Sequence, residues 1–449
     1  MGKLFGTDGI RGVANEQLTP ELAYRIGQAV ALSLPHDERK PLVVIGKDTR
    51  ISSDMLECAL AAGLTACGCN VLELGVIPTP AVAYLTTRLR ADAGAVISAS
   101  HNPYEHNGIK LFSAQGFKLS DALEDEIEAR ILQEGALPVR TGAALGQVRY
   151  QPEHAEEYLA HLASTVPELR PLRVLFDCAN GAASVTARRL FSRFPLRADY
   201  ICDQPDGVNI NDGCGSTHLE RLGAQVRKGG YDLGLAFDGD ADRCLAVDER
   251  GEMIDGDQIM AVCSRALTAE GRLPGQGFVA TVMSNLGLHR YCKEQGLRLL
   301  CAAVGDRNVL ELMQKEHMAL GGEQSGHIIF LEYMTTGDGQ LAALQFLSIL
   351  SRSGKKASEL AGAVRRCPQV LRNVRVASNE EKTAIMRSAA LQDLISSEET
   401  RLADTGRILI RPSGTEPLIR VMAEAQTQAE AEAVVDTLME AVENLQKNL

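Results

Sequence analysis

The sequence predicts an α/β protein: three similar α/β units with mixed, mostly parallel, helix-covered sheets, followed by a smaller α+β unit. Two observations carry this. Between positions 41 and 350, apolar runs of strand length alternate with amphipathic or apolar stretches of helical length, the pattern of βαβ units. From about Val370 the order changes to strand, long helix, strand, loop, strand and final helix. The predicted domains are 1–150, 151–254, 255–367 and 368–449.

In the first domain a glycine-rich opening precedes Thr19-Pro20-Glu21, a helix start with Thr19 as N-cap and Pro20 at the first helical position. Leu22, Ile26 and Val30 then share one face. A strand at 41–46, a helix at 53–65, a strand at 71–74 and a helix near 81–89 lead to the apolar run 93–97. That run reads as a buried strand delivering Ser98 and Ser100 to its carboxyl end, where Asn102-Pro103 forces a turn. Ligands meet open α/β sheets at such ends. An acidic helix at 121–133 closes the domain and 135–146 reads as a linker.

The second domain repeats the alternation: helix 154–164, strand 172–177, a helix from Ala183, a strand near Tyr200, helix 217–228, and strand 232–237 running into an acidic loop. The third carries strands at 278–282 and 297–303, a glycine-rich loop at Gly321, and a helix at 339–350 that is apolar nearly all round and therefore buried. The fourth has strands at 407–410 and 419–422 and a closing helix at 429–445.

A chain of 449 residues with 45% hydrophobic content has room for roughly three to four domains with packed cores. With 4% aromatics and no Trp, those cores are aliphatic and alanine-rich. The net charge of -12 argues against a nucleic-acid or acidic-membrane surface, so an anionic substrate needs a local cluster of cations or a metal. Eleven cysteines without paired spacing fit small buried hydrophobes in a reducing compartment. The opening 1–11 lacks a signal-peptide core and no run is long enough to span a bilayer, so a soluble cytoplasmic protein is expected.

Four loops carry the candidate chemistry. Ser100, with His101 beside it and Lys110 downstream, has what a phosphoryl-accepting nucleophile needs: exposure, a proton partner and a nearby cation. The same residues also make an ordinary polar turn. In Asp238-Gly-Asp-Ala-Asp242-Arg243, three carboxylates at alternate positions of a tight turn can converge on one hard divalent cation. An EF-hand is rejected because its sixth position is Arg243 rather than glycine and its flanks read as strands, while a solvated acidic hairpin, near Asp255 and Asp257, is the plainer alternative.

Arg411-Pro-Ser-Gly-Thr-Glu-Pro417 offers donors from Ser413, Gly414 and Thr415, with forks from Arg411 and Arg420, which suits a phosphate monoester; a plain hairpin turn explains Pro, Ser and Gly equally well but does not call for the two arginines. In Gly321-Gly-Glu-Gln-Ser-Gly-His327, Glu323 and Ser325 fall on one side of an extended loop, placed to meet vicinal sugar hydroxyls; a plain glycine loop explains this segment equally well. The segment 46–53 is either a cationic loop facing the site or a helix cap. His161 and His289 read as structural or exposed.

Taken in this order, these motifs and the Gly6-Thr-Asp-Gly-Ile-Arg-Gly12 opening resemble the α-D-phosphohexomutase superfamily over essentially the whole chain. Gly322 to His327, Asn209 to Thr217 and Arg420-Val-Met look most like its bacterial amino-sugar branch. The resemblance implies four domains around a central cleft. It also implies conversion of glucosamine 6-phosphate to glucosamine 1-phosphate, on the route to UDP-N-acetylglucosamine and cell-wall precursors.

By the same resemblance Ser100 is the phosphoserine, and Asp238, Asp240 and Asp242 bind one Mg2+ per subunit together with the Ser100 phosphoryl group. Glu323 and Ser325 read sugar hydroxyls, with Arg243 and His327 also at the substrate. Arg411, Ser413, Gly414, Thr415 and Arg420 hold the non-reacting phosphate. Arg11, Lys110 and either His101 or His327 match positions for proton transfer and charge stabilisation. A hexose 1,6-bisphosphate is the implied activator, and a homodimer through an apolar face of domain 1 is open. Asn308 departs from the branch, which has an aromatic there, and altered packing rather than a new substrate is expected. The competing readings are a phosphomannomutase or phosphoglucomutase with the same machinery, a Mg2+-dependent phosphatase, and a non-catalytic sugar-phosphate-binding regulator.

Overall fold

The computed structural model describes residues 4–6, 8–35, 39–412 and 418–447. It divides into two compact units, one of Met1–Met283 with Leu297–Ala363 and one of Ser284–Gly296 with Val364–Leu449.

The first unit holds three sheets. The first is six-stranded and is built from β1 (Ile10–Val13), β2 (Leu42–Lys47), β3 (Asn70–Val76), β4 (Ala93–Ile97), β5 (His106–Ser113) and β6 (Val148–Tyr150), in the order β1-β5-β4-β2-β3-β6. Strands β4, β2, β3 and β6 are parallel, whereas β5 runs antiparallel to both β4 and β1. The mixed character follows from the turn after Ser100: a short reversal can join only antiparallel neighbours.

Thr19 caps the helix Pro20–Ser33 through the Leu22 N–H, as its sequence predicts. That helix packs against Ser53–Ala66 so closely that a Cβ on Gly63 would sit 2.0 Å from the Tyr24 carbonyl.

The second sheet contains β7 (Arg173–Asp177), β8 (Arg197–Ile201), β9 (Leu233–Phe237), β10 (Cys244–Asp248) and β11 (Met253–Ile254), in the order β11-β10-β9-β7-β8. Strands β9 and β10 are antiparallel, so the acidic loop is the turn of a hairpin. The helix expected from position 217 begins instead at Glu220, because the preceding chain is drawn to the end of β9 by the bond from Ser216 N–H to the Phe237 carbonyl.

The third sheet contains β12 (Gly277–Thr281), β13 (Arg298–Ala302), β14 (Leu320–Gly322) and β15 (Ile328–Phe330). Asp255, read from sequence as part of an acidic surface, is buried and forms a reciprocal capping box with Gln258 at the start of helix Gly256–Ala269. Helix Gly339–Ser353 is buried along most of its length.

The second unit is a three-stranded antiparallel sheet of β16 (Gln369–Arg375), β17 (Arg407–Pro412) and β18 (Leu418–Glu424), with β18 central. Helix Gln428–Lys447 buries Val434, Val435 and Leu438 in the same apolar cluster as Val421 and Ala423. The single long helix expected after β16 is two, Asn379–Met386 and Ala389–Leu402, because Ser388 takes up an extended conformation between them. Among the described residues no helix is long and apolar enough to cross a membrane.

Candidate active site

Ser100 sits on the reversal between β4 and β5, but it is buried rather than exposed as expected, at 1%, because its hydroxyl is turned onto Asp238; its φ of +52° is a left-handed conformation that non-glycine residues seldom adopt. Its N–H donates to Ser98 Oγ at 2.9 Å, and its own Oγ donates to Asp238 Oδ2 at 2.6 Å. The β9–β10 turn, with Ala241 also left-handed at φ +57°, brings the carboxylates of Asp238, Asp240 and Asp242 together so that one oxygen of each lies within 4.8 Å of the others.

The partners of these carboxylates leave a characteristic remainder. Asp240 Oδ2 accepts from Thr79 Oγ1 at 2.6 Å and from Lys110 Nζ at 2.8 Å. Asp238 Oδ1 accepts from the Arg243 N–H at 3.1 Å. Among the described residues Asp240 Oδ1 and Asp242 Oδ1 are buried without a hydrogen-bond donor. Buried anionic oxygens without donors carry an unmet desolvation cost, which a hard divalent cation would offset. The donor set, three carboxylates and no nitrogen or sulfur, fits such a cation.

Burial and repulsion from Asp242 and Asp240 push the Asp238 carboxyl well above its usual range. Asp242 moves the other way: burial opposes its charge, but Lys110 and His327 hold it low. Lys110 lies between Asp240, Asp8 at 3.0 Å and Asp242 at 3.5 Å. Burial disfavours its charge, yet these three carboxylates hold it protonated far above neutrality. His101 is pushed down to about 4, first by burial and then by Arg243 and Arg11, which leaves it neutral at pH 7. Its Nδ1 lies 3.4 Å from Ser100 Oγ and accepts from Arg243 Nη1 at 3.2 Å.

At His327 two influences compete. The Gly337 N–H points at Nε2 from 3.1 Å and requires a lone pair there, which leaves the ring proton on Nδ1, facing Asp242 at 3.6 Å. Burial disfavours a second proton, but Asp242 and Asp306 raise the group to about 9. The Gly337 bond is the specific geometric constraint and fixes the Nδ1–H tautomer of the neutral ring.

Arg11 on β1 is ion-paired with Asp8, which also accepts from Lys118 at 2.6 Å. Glu323 and Ser325 do not lie along one side of an extended loop. The segment closes as a turn between β14 and β15, with bonds from the Glu323 N–H to the His327 carbonyl and from the Gly326 N–H to the Glu323 carbonyl. Glu323 is half-buried and accepts from the Gly305 N–H at 3.1 Å, whereas Ser325 is exposed. An isolated bridge between Arg243 and His327 ties this turn to the acidic loop. The first unit therefore assembles Ser100, His101, Arg11, Lys110, the three aspartates, Arg243 and His327.

In the second unit Arg411 and Arg420 are directly opposed across β17 and β18. Opposed like charges weaken a strand pair, and burial followed by the charge of Arg420 lowers the Arg411 pKa. Ser413, Gly414 and Thr415 lie outside the described residues. Asn308 donates to the Val304 carbonyl at 2.9 Å, a bond within its own turn.

Sequence reasoning missed Thr79, Asp8, Lys118 and Asp306. Thr79 precedes a proline at a helix start, and Asp8 lay inside a quoted motif without a visible partner. The segment at 46–53 is neither alternative expected of it alone: Lys47 pairs with Asp54 and Glu57, while Asp48 and Arg50 are buried beneath the serine turn.

Four descriptions of the phosphoglucomutase/phosphomannomutase class match the chain in order: alpha/beta/alpha domain I over residues 2–137, domain II over 156–251, domain III over 255–367 and the C-terminal domain over 371–441. Fold and acidic site together define that class. A phosphoglucosamine mutase of Desulforudis audaxviator is 51% identical over 449 residues, covering 100% of this chain and 99% of its own. One of Carboxydothermus hydrogenoformans is 53% identical over 447 residues, 99% of this chain and 100% of its own.

Among solved structures, a phosphoglucomutase/phosphomannomutase family protein from Burkholderia thailandensis superposes with TM-score 0.82 at 25% identity, covering 98% of this chain and 97% of its own. An Aspergillus fumigatus N-acetylphosphoglucosamine mutase, solved with GlcNAc-6P and magnesium, shares the fold at TM-score 0.69 and 18% identity, over 99% and 96% of the two chains. The chain belongs to the phosphoglucosamine mutase family of the α-D-phosphohexomutase superfamily, and it is an enzyme, an isomerase that works by phosphoryl transfer.

Proposed function

We propose that this enzyme interconverts glucosamine 6-phosphate and glucosamine 1-phosphate through a phosphoserine at Ser100 and a 1,6-bisphosphate intermediate, supplying UDP-N-acetylglucosamine synthesis. The observation that carries the reading is the 2.6 Å contact of Ser100 Oγ with Asp238, beside carboxylate oxygens that lack donors. Phosphorylated Ser100 transfers its phosphoryl group to the sugar 1-oxygen: the Oγ–P bond breaks, the sugar O–P bond forms, the sugar hydroxyl loses its proton and Ser100 Oγ takes one up. Proton transfer falls to His101, the imidazole beside Ser100 Oγ, or to His327. Lys110 and Arg11 offset the charge on the phosphoryl oxygens. The bisphosphate reorients, the 6-oxygen–P bond breaks as Ser100 Oγ gives up its proton and recovers that phosphoryl group, and the freed 6-oxygen is protonated.

Asp238, Asp240 and Asp242 would hold one Mg2+ per subunit, which neutralises phosphoryl oxygens when bound. Arg243, Glu323, Ser325 and His327 meet the sugar phosphate, and Arg411, Ser413, Gly414, Thr415 and Arg420 clamp the phosphate that is not reacting. One donor lost from that clamp should cost about 1.5–3 kcal/mol. A hexose 1,6-bisphosphate restores any lost phosphoserine. The enzyme works in the cytoplasm without nucleic acid or membrane, divides into domains 1–150, 151–254, 255–367 and 368–449, and has a homodimer as its candidate assembly.

The test is a Mg2+-dependent isomerisation assay with a trace of hexose 1,6-bisphosphate, offering the glucosamine, mannose and glucose 6-phosphates in parallel. Preference for the amino sugar is expected. Preference for a neutral hexose would move the substrate and keep the chemistry. Near-normal turnover by Ser100→Ala would overturn the scheme.

A further inference from the structure

The backbone of Ser100 is held from beneath by two buried groups that never touch its hydroxyl. Arg50 donates from Nη2 to the carbonyls of Ser100 at 2.8 Å and Asn102 at 2.9 Å, and from Nη1 to the carbonyl of Pro103 at 2.9 Å. Its Nε donates to Asp48 Oδ2 at 2.9 Å, and both side chains are 0% exposed. Asp48 Oδ2 also accepts from Ser98 Oγ at 2.5 Å, and Ser98 Oγ in turn accepts the Ser100 N–H. The carbonyl of Ser100, through Arg50, and its N–H, through Ser98, therefore trace to one carboxylate.

The pair is itself fixed. Asp48 Oδ1 accepts from Ser53 Oγ at 3.0 Å and from the Arg50 N–H at 3.0 Å. From the loop that follows β8, Asn211 Nδ2 donates to the same carbonyls of Ser100 and Asn102, at 2.9 and 3.1 Å. A guanidinium buried in low dielectric needs its donors filled, and here all three nitrogens are spent on the turn or on its anchor. A left-handed non-glycine backbone persists only where its surroundings over-determine it. Ser100 meets that condition, and its Oγ stays free for Asp238.

We propose that Asp48 and Arg50 are positioning residues for the phosphoryl-carrying serine: through Ser98 and directly, they fix the left-handed turn that aims Ser100 Oγ at the carboxylate loop. The proposal rests on the phosphoserine reading above. It has a kinetic signature. Each turnover uses Ser100 twice, first as donor and then as acceptor, so a loosened turn slows recapture and lets the bisphosphate escape. The substrate's own contacts are untouched. Variants should lose kcat, keep KM, and demand more activator to stay phosphorylated.

The test compares wild type, Arg50→Met, Arg50→Lys and Ser98→Ala, each checked for folding by thermal melting. Phosphate on Ser100 is followed by mass spectrometry after mixing with a hexose 1,6-bisphosphate, alongside kcat, KM and the activator concentration at half-maximal rate. Arg50→Met should lower kcat and the labelling rate by roughly 100-fold, as expected for a misplaced reacting group. Ser98→Ala, which loses one hydrogen bond and little volume, should lower both by roughly tenfold. Arg50→Lys should fall between wild type and Arg50→Met, because one ammonium cannot reach three carbonyls and Asp48 together. If Arg50→Met does not fold, Ser98→Ala and Arg50→Lys carry the comparison. Wild-type labelling rates in folded variants, or a rise in KM with kcat unchanged, would overturn the positioning role alone. A wild-type protein that takes no phosphate on Ser100 would overturn the phosphoserine reading as well.

Discussion

Lys110→Met takes a 2%-exposed ammonium away from Asp240, Asp8 and Asp242, which lie 2.8, 3.0 and 3.5 Å from Nζ. At an effective dielectric of about 20, each such contact has a gross Coulomb energy of roughly 5 kcal/mol. Desolvation of the ammonium consumes most of that, and removing one partner of a buried ion pair is observed to cost about 3–5 kcal/mol, because the remaining charge is left uncompensated. Methionine fills the same volume, so a cavity adds little. In the absence of divalent cation the variant should be less stable than wild type by about 3–5 kcal/mol in urea titrations at pH 7.

A second measurement separates charge from packing. Lys110 repels any cation drawn to Asp240 and Asp242, so its removal should strengthen Mg2+ binding, and saturating Mg2+ should raise the melting midpoint more in the variant than in wild type. Equal Mg2+ shifts in the two proteins, or a stability loss under about 1 kcal/mol, would show that Lys110 does not compensate this cluster.

Three further outcomes are expected. Burial pushes Asp338 up to about 6 despite its bonds from the Leu341 N–H and the Tyr158 hydroxyl, so the folded state binds the extra proton between the unfolded value of about 3.9 and 6; stability falls as pH rises through that window, and Asp338→Asn should gain about 3 kcal/mol on wild type between pH 4 and 7, unless the gap proves independent of pH in urea melts. Gly63→Ala places a Cβ 2.0 Å from the Tyr24 carbonyl and should cost about 1–3 kcal/mol by forcing two helices apart, read as a lower thermal midpoint with kcat preserved. Chelation should abolish turnover and lower the wild-type midpoint, with Mg2+ restoring both, whereas Asp240→Asn should show a much smaller Mg2+-dependent shift.

Local signals were legible where one segment supplies its own explanation. Thr19-Pro20-Glu21 contains the cap, the first helical residue and the acidic first turn, and the helix starts there. The run 93–97 is apolar because β4 is buried along its whole length. What escaped depends on partners distant in sequence. Strand β5 was hidden because Asn107 and Lys110 interrupt its apolar pattern, yet both are buried, Asn107 against Ser52 and Ser53 and Lys110 against Asp8 and Asp240. The Arg50 side chain is invisible as a buried group until the serine turn supplies three carbonyls to receive it. The turn at Glu323 was misread as extended because its closing partner, the His327 carbonyl, pairs only once β14 and β15 form a hairpin.

The same distant pairing explains how a chain of net charge -12 manages an anionic substrate. Around Ser100 the fold gathers Asp8, Asp48, Asp238, Asp240, Asp242 and Asp306, and interleaves them with Arg11, Arg50, Lys110, Lys118 and Arg243. Fully ionised, these groups leave a single negative charge; burial first, and then repulsion from Asp242 and Asp240, pushes the Asp238 carboxyl upward. A divalent cation held by the three aspartates would favour the ionised form of Asp238 and change the balance to one positive charge, beside the Ser100 hydroxyl proposed above to carry a phosphoryl group. The cluster is therefore near neutrality, where one divalent cation decides whether a phosphate meets net positive charge.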